Sequence, residues 1–330
     1  MKHIGVIGTG TWGTALAVHL AQLGHKVTAW SPIPEELEAL AATHTHPHLP
    51  YTHVPESIAM EGDLGLTCTD KDLLVFAVPS VYVRETALRA KPYIKEGQLI
   101  ADVAKGIEEG TLLTMTEILT EVLGPSVRTV ALSGPTHAEE VAVNIPTAIV
   151  AASPDVEAAK EVQDLFMSPT FRVYVNDDAH GVELSGALKN VVALAAGISA
   201  GLGYGDNTIA AIISRGIAEI SRLGTAMGCR PETFYGLAGI GDLVVTCYSR
   251  HSRNHQAGSL IGQGVPPAEA LQKVGMVVEG VNTLPAAVQL AEKYGVELPI
   301  IFAVRDVFSG TLTAREAVTE LMCRQKRTEF

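Results

Sequence analysis

Cysteine and basic charge are both scarce in this sequence, and each scarcity removes a class of protein. The four cysteines (Cys68, Cys229, Cys247 and Cys323) show neither C-x-x-C pairing nor zinc-ligand spacing. That argues against a disulfide scaffold or a zinc module and suits reduced thiols. Lys and Arg number 24 against 36 acidic residues, a net charge of −12. Nucleic acid is therefore not expected as a partner, since phosphate backbones require a basic surface. A small anion is still admissible, because helix N-termini and a few arginines make a local positive pocket. The longest weakly polar stretch, Val191 to Gly205, lies between Lys189 and Asp206. It is too short to span a bilayer and reads as a buried helix. Met1-Lys2-His3 leads straight into an apolar run that ends at a glycine turn, without a signal-peptide pattern. A cytoplasmic protein without membrane insertion is the expectation.

What is present describes a well-packed α/β chain. Hydrophobic residues make up 47% and charged residues 18%, with 31 glycines, and 330 residues exceed what one core usually spans. Short β-branched runs at Ile4–Ile7, Lys26–Trp30, Leu73–Val78, Gln98–Val103, Thr129–Leu132, Thr147–Ala151 and Arg172–Val175 read as strands. Helical spacing falls at Trp12–Leu23 and Leu112–Leu123, each closed by a glycine (Gly24, Gly124). A third helix, Asp155–Phe166, is read with Ser153 as its cap. This alternation predicts a parallel, doubly wound sheet. After Asn176-Asp177-Asp178 the texture becomes Ala/Leu/Ile/Val-rich with helical period. The expected division is an α/β domain over 1–178 and an all-α domain over 179–330.

The strongest local signal is Gly8-Thr9-Gly10-Thr11-Trp12-Gly13, between the first strand and the first helix. Gly8 permits the tight turn, Gly10 lets backbone approach a pyrophosphate, and Gly13 lets helix pack on strand. The free N–H groups of the helix start then face the phosphates. This is the pattern of a Rossmann-type dinucleotide-binding domain. The second strand ends Ala29-Trp30-Ser31-Pro32, with neither the acid that holds the 2′-OH of NAD nor an arginine for the 2′-phosphate of NADP. Use of both coenzymes, with at most a modest preference, is expected. Three further loops follow strands: Val78-Pro79-Ser80, Lys105-Gly106 and Ser133-Gly134-Pro135-Thr136-His137-Ala138. Their shared position at one sheet edge favours a ligand there, although Lys105 alone could be an ordinary surface residue.

The second domain opens with Leu188-Lys189-Asn190 between apolar residues. Lys189 is either a side chain snorkelling from a half-buried helix or a lysine in a dry cleft, poised to exchange a proton near neutrality. In Gly239-Ile240-Gly241-Asp242, the isolated Asp242 is either a helix N-cap or a functional acid. Ser252-Arg253-Asn254, with Arg250, His251 and His255 around it, has the composition of a phosphate or carboxylate clamp; a solvated loop is the alternative. The histidines His44, His46, His48 and His53 sit in a Pro-rich stretch without an acidic partner at ligand spacing, so no metal is expected.

These pieces, in this order and together with Val277-Val278-Glu279-Gly280, resemble the NAD(P)-dependent glycerol-3-phosphate dehydrogenase family over Gly5 to about Glu316. The resemblance implies a helical C-terminal domain of the 6-phosphogluconate dehydrogenase type. It also implies reversible oxidation of sn-glycerol 3-phosphate to dihydroxyacetone phosphate with NAD or NADP, serving glycerophospholipid synthesis. It further implies that Lys189 is the catalytic proton acceptor. Lys105, Gly134, Thr136, Asp242, Ser252, Arg253 and Asn254 would then contact substrate. Gly8, Gly10, Thr11, Trp12, Gly13, Lys105, Ala138, Arg253, Val277 and Glu279 would line the cofactor. Two positions depart from the pattern: Pro32 stands where an Arg or His near the adenosine ribose is frequent, and Ile209 where a basic residue is common. The competing readings are a β-hydroxyacid dehydrogenase of the same wider group and a non-catalytic NAD(P)-sensing protein. The sequence leaves oligomeric state open, a homodimer included.

Overall fold

A computed structural model describes every residue except Arg250, Arg327 and Phe330. The chain divides into two compact units. The first comprises Met1–Lys105 and Leu113–Glu183; the second comprises Gly106–Leu112 and everything from Leu184 onward. The division therefore falls inside a helix, Ala179–Gly201, rather than ahead of it.

The first unit is built on an eight-stranded sheet. Its strands are β1 (His3–Ile7), β2 (Lys26–Trp30), β3 (Ala59–Glu61), β4 (Leu73–Phe76), β5 (Leu99–Asp102), β6 (Arg128–Ser133), β7 (Thr147–Ala152) and β8 (Phe171–Asn176). Their order is β3-β2-β1-β4-β5-β6-β7-β8, so the winding reverses between β1 and β4, where sheets of this kind bind ligands. Side chains alternate between two cores. Ile4, Val6, Leu73, Val75, Leu99 and Ala101 face one core with the helices Thr11–Gln22 and Val156–Phe166. Ile7, Leu74, Phe76 and Ile100 face the other with Val83–Ala90 and Met115–Leu123. Burial on both faces is why these strands read as continuous apolar runs.

Three expectations need correction. The sheet is not wholly parallel: β7 runs antiparallel to β6, with Leu132 opposite Ala151. The β6–β7 link carries only a four-residue helix, Ala138–Val141, in place of the crossover helix that usually joins a parallel pair. The three-residue β3 carried no legible strand signal. The cap of Val156–Phe166 is Asp155, which accepts from the Ala158 N–H at 3.1 Å; Ser153 instead donates to the Thr129 carbonyl at 2.7 Å.

Within the first unit, the start of Ala179–Gly201 is held by Glu183, which accepts from the Thr114 hydroxyl at 2.9 Å and from the Thr116 N–H and hydroxyl. Burial pushes this carboxyl above the usual Glu range, against the pull of those donors. The helix spans 23 residues, long and apolar enough to cross a membrane, but 83% of that apolar window is buried inside the protein.

The regular elements described in the second unit are all helices, packed around Val191, Leu194, Ile217, Ile220, Leu243, Leu284 and Ile301. Ile107 joins this core from the short Gly106–Leu112 segment. Ile209, one of the two departures from the family pattern, is 6% exposed and fills the same core. Arg253–Gly262 packs backbone to backbone on Ala179–Gly201 through Gly197 and Gly201 on one helix and Gly258 and Gly262 on the other. A side chain on Gly258 would run into the Leu194 carbonyl, and one on Gly197 into that of His255. Only glycines allow helices this close.

Candidate active site

In the first unit, Gly8 has φ +116°, and a side chain there would sit 2.7 Å from the Ala77 carbonyl at the end of β4. A side chain on Gly13 would strike the carbonyl of Gly8. Gly10 has open space where its side chain would be. The flanking glycines are thus required by the protein's own packing, whereas Gly10 leaves an exposed approach for a ligand. Gly10 is also the N-cap of Thr11–Gln22 and offers no side chain to the first-turn amides, where a pyrophosphate fits. Behind the loop, the Thr14 hydroxyl donates to the Thr9 carbonyl at 2.9 Å. Trp12 packs against a small cluster of Ala15, Leu49, Ala138 and Ala142, so two of the expected cofactor-lining residues, Trp12 and Ala138, belong to one apolar patch.

Along the same sheet edge, Lys105 beyond β5 donates from Nζ to the Gly134 carbonyl at 3.0 Å, and the Thr136 hydroxyl donates to that oxygen at 3.1 Å. Three expected substrate contacts therefore form one hydrogen-bonded cluster. Gly134 is needed because a side chain would lie 3.1 Å from the Ile149 Cα of β7.

In the second unit, Lys189 is 6% exposed and Asp242 1% exposed. Lys189 Nζ donates to Asp242 Oδ1 at 2.8 Å and to Thr246 Oγ1 at 2.5 Å. The Thr246 hydroxyl donates to the Asp242 carbonyl at 2.6 Å, which turns its lone pairs toward the lysine. Asp242 is not a cap: it is the first residue of Asp242–Tyr248, entered through a π-helical turn, Leu237–Gly241. Burial penalises the ammonium charge, and the adjacent carboxylate compensates it. The pair also lies beside Cys247, whose burial pushes its thiol up to about 12 and keeps it protonated.

The expected clamp separates into distinct tasks. Ser252 is the N-cap of Arg253–Gly262, its hydroxyl accepting from the His255 N–H at 3.2 Å. Arg253 is exposed at the first turn of that helix, where guanidinium and free amides add to one positive end. Asn254 is buried; its Nδ2 donates to Asn190 Oδ1 at 3.0 Å and its Oδ1 accepts from the Gly280 N–H at 2.8 Å. It therefore ties the residue after Lys189 to the start of the helix Glu279–Tyr294, next to Val277 and Glu279. Gly280 is required at this junction, since a side chain would lie 2.5 Å from the Asn190 carbonyl. Arg250 lies outside the described residues.

Neither Thr246 nor Asn190 is given a site role by the sequence reading. The four-residue step from Asp242 to Thr246 on one helix was the available signal for the first. His46 was set aside with its neighbours, yet it is 8% exposed and accepts from the His48 N–H at 3.1 Å.

The family model for the NAD-dependent glycerol-3-phosphate dehydrogenase N-terminus matches residues 3–159, and that for the C-terminus matches 178–319. The chain belongs to the NAD-dependent glycerol-3-phosphate dehydrogenase family. Among its relatives, a glycerol-3-phosphate dehydrogenase [NAD(P)+] from Lactobacillus delbrueckii subsp. bulgaricus is 54% identical, with 100% of this chain and 99% of the relative covered. Its counterpart from Agathobacter rectalis is 51% identical over 100% of this chain and 98% of the relative. The crystal structure of a glycerol-3-phosphate dehydrogenase from Coxiella burnetii superimposes with a TM-score of 0.94 at 38% identity, covering 98% of this chain and 99% of that one. As in the family, the α/β unit carries the dinucleotide fold and the remainder is helical.

Proposed function

We propose that this protein interconverts dihydroxyacetone phosphate and sn-glycerol 3-phosphate, with Lys189 moving the proton at the C2 oxygen. The observation that carries the reading is the buried Lys189–Asp242–Thr246 cluster, which presents one ammonium in a fixed geometry. When bound, the nicotinamide coenzyme supplies or accepts the hydride at C2. Reduction of the ketone requires a proton donor at the carbonyl oxygen, and the ammonium form of Lys189, balanced by Asp242, is that donor. Oxidation runs through the same atoms in reverse, the neutral amine taking the hydroxyl proton. Thr246 fixes the Nζ position, so the proton travels along one line. Arg253 and the amides of its helix start suit the phosphate end of the substrate. The reading includes a cytoplasmic site of action and delivery of glycerol 3-phosphate to glycerophospholipid synthesis.

The test is the oxidation of NADH or NADPH followed at 340 nm with dihydroxyacetone phosphate or unphosphorylated dihydroxyacetone. A bidentate charge-assisted contact exceeds the ~1.5–3 kcal/mol of a single one, so the phosphorylated ketone should be favoured by at least about a hundredfold in kcat/KM. Equal efficiency on both ketones would refute the phosphate-recognition reading.

A further inference from the structure

We propose that this chain selects the coenzyme without a 2′-phosphate, NAD(H), and that the selecting group is Glu36, held at the C-terminal end of β2 by Ser31. The proposal rests on the dehydrogenase reading above and revises the expectation that nothing near β2 reads the 2′ position. In a sheet wound this way, the adenosine ribose meets the end of β2, and an acid there accepts hydrogen bonds from a free 2′-OH. The sequence shows no acid at the strand end itself, but folding brings one back. Ser31, the residue after β2, is 3% exposed; its hydroxyl donates to Glu36 Oε2 at 2.9 Å and accepts from the Ile33 N–H at 3.2 Å. Pro34 starts the helix Pro34–Thr43 immediately, so Glu36 lies in the first turn, beside the strand end.

Charge in this segment points the same way. From Val27 to Asp70 the chain has no Lys or Arg and has seven acidic residues, Glu35, Glu36 and Glu38 among them. A 2′-phosphate placed there would meet like charge with no cation from this segment to answer it. Arg89 does reach the end of β2, but it lies over the Trp30 ring, 5.2 Å from the centroid. Trp30 belongs to the core on the face opposite the helix Thr11–Gln22, so Arg89 is committed to the other side of the sheet.

The experiment measures binding of NADH and of NADPH to the full-length protein by calorimetry, and kcat/KM for each with dihydroxyacetone phosphate. Wild type should favour NADH by at least about tenfold, the factor that one charge-assisted hydrogen bond supplies. Glu36→Gln should shrink that ratio by about tenfold, through weaker NADH and tighter NADPH binding. Ser31→Ala, which releases the carboxylate, should move the ratio the same way and less far. Glu35→Gln removes a neighbouring exposed charge that Ser31 does not hold, and should leave the ratio unchanged. Equal or tighter binding of NADPH by wild type overturns the proposal, with Arg89 then the candidate reader. It is equally overturned if Glu35→Gln shifts the ratio as much as Glu36→Gln, since that would be a diffuse field and not a contact. Binding of neither coenzyme would overturn the dehydrogenase reading along with it.

Discussion

Replacing Lys189 with Met keeps the aliphatic stem and removes both the proton and the charge, so it should have two separable consequences. The first is on stability. Asp242 is 1% exposed and its carboxylate sits 2.8 Å from the lost ammonium, so the variant takes a close cation away from a buried carboxylate. Breaking a buried pair from one side costs about 3–5 kcal/mol, a fall of roughly 10 °C or more in the melting of a unit this size. The second is on chemistry: losing a positioned acid or base lowers kcat by about 10²–10⁴-fold and should flatten the basic-side pH dependence, while NADH still binds. The double variant Lys189→Met/Asp242→Asn separates the two, because it removes the carboxylate's charge together with the ammonium. Its melting temperature should recover most of the loss, and its kcat should stay low. Lys105→Met, which breaks the bond to the Gly134 carbonyl, should act mainly on KM for the phosphorylated ketone. The assays are differential scanning calorimetry and initial-rate kinetics between pH 6 and 10. Recovery of kcat together with stability in the double variant would make Lys189 a structural residue. Near-normal turnover in Lys189→Met, with turnover and pH dependence abolished in Lys105→Met, would reverse the two roles.

Glu219 is 3% exposed and accepts from the Ile300 N–H at 2.9 Å at the start of Pro299–Phe308, and burial pushes its carboxyl from 4.5 up to about 7. Because the folded value is raised, its stabilising contribution is complete below pH 4.5 and is lost as pH rises through about 7, on the order of 3 kcal/mol in all. Urea midpoints at pH 5 and pH 8 should therefore differ less in Glu219→Gln than in wild type; an identical pH dependence in both would contradict the assignment. Gly258→Ala places a methyl against the Leu194 carbonyl and 3.0 Å from the Gly197 Cα, at a crossing of two backbones that cannot yield locally. It should cost about 1–3 kcal/mol and raise KM for the phosphorylated ketone, because Arg253 and Asn254 ride on the displaced helix; unchanged melting and KM would show that the crossing is loose.

Much of the candidate site was legible because its signals are local. The order strand, Gly8-x-Gly10-x-x-Gly13, helix demands a particular turn whatever the rest of the chain does; Gly8 and Gly13 answer to contacts within the motif or at the end of the neighbouring β4, and Gly10 faces open space. Lys189 and Asp242 stood out as isolated charges in apolar runs, and burial of a charge requires a partner. That they are each other's partner, 53 residues apart, could not be read from either run.

By itself, the amino-acid order determined which segments are strands buried on both faces and which turn the glycines after the first strand must make. Those depend on side-chain period and backbone conformation within a few residues. Only the tertiary structure decided the direction of β7, the pairing of Lys189 with Asp242 and Thr246, the bridging task of Asn254 between Asn190 and Gly280, and the return of Glu36 to the end of β2. The physical reason is common to all four. A hydrogen bond or a compensated charge is a property of two groups in space, and which groups meet is set by how the helices and strands pack, not by the pattern within either one.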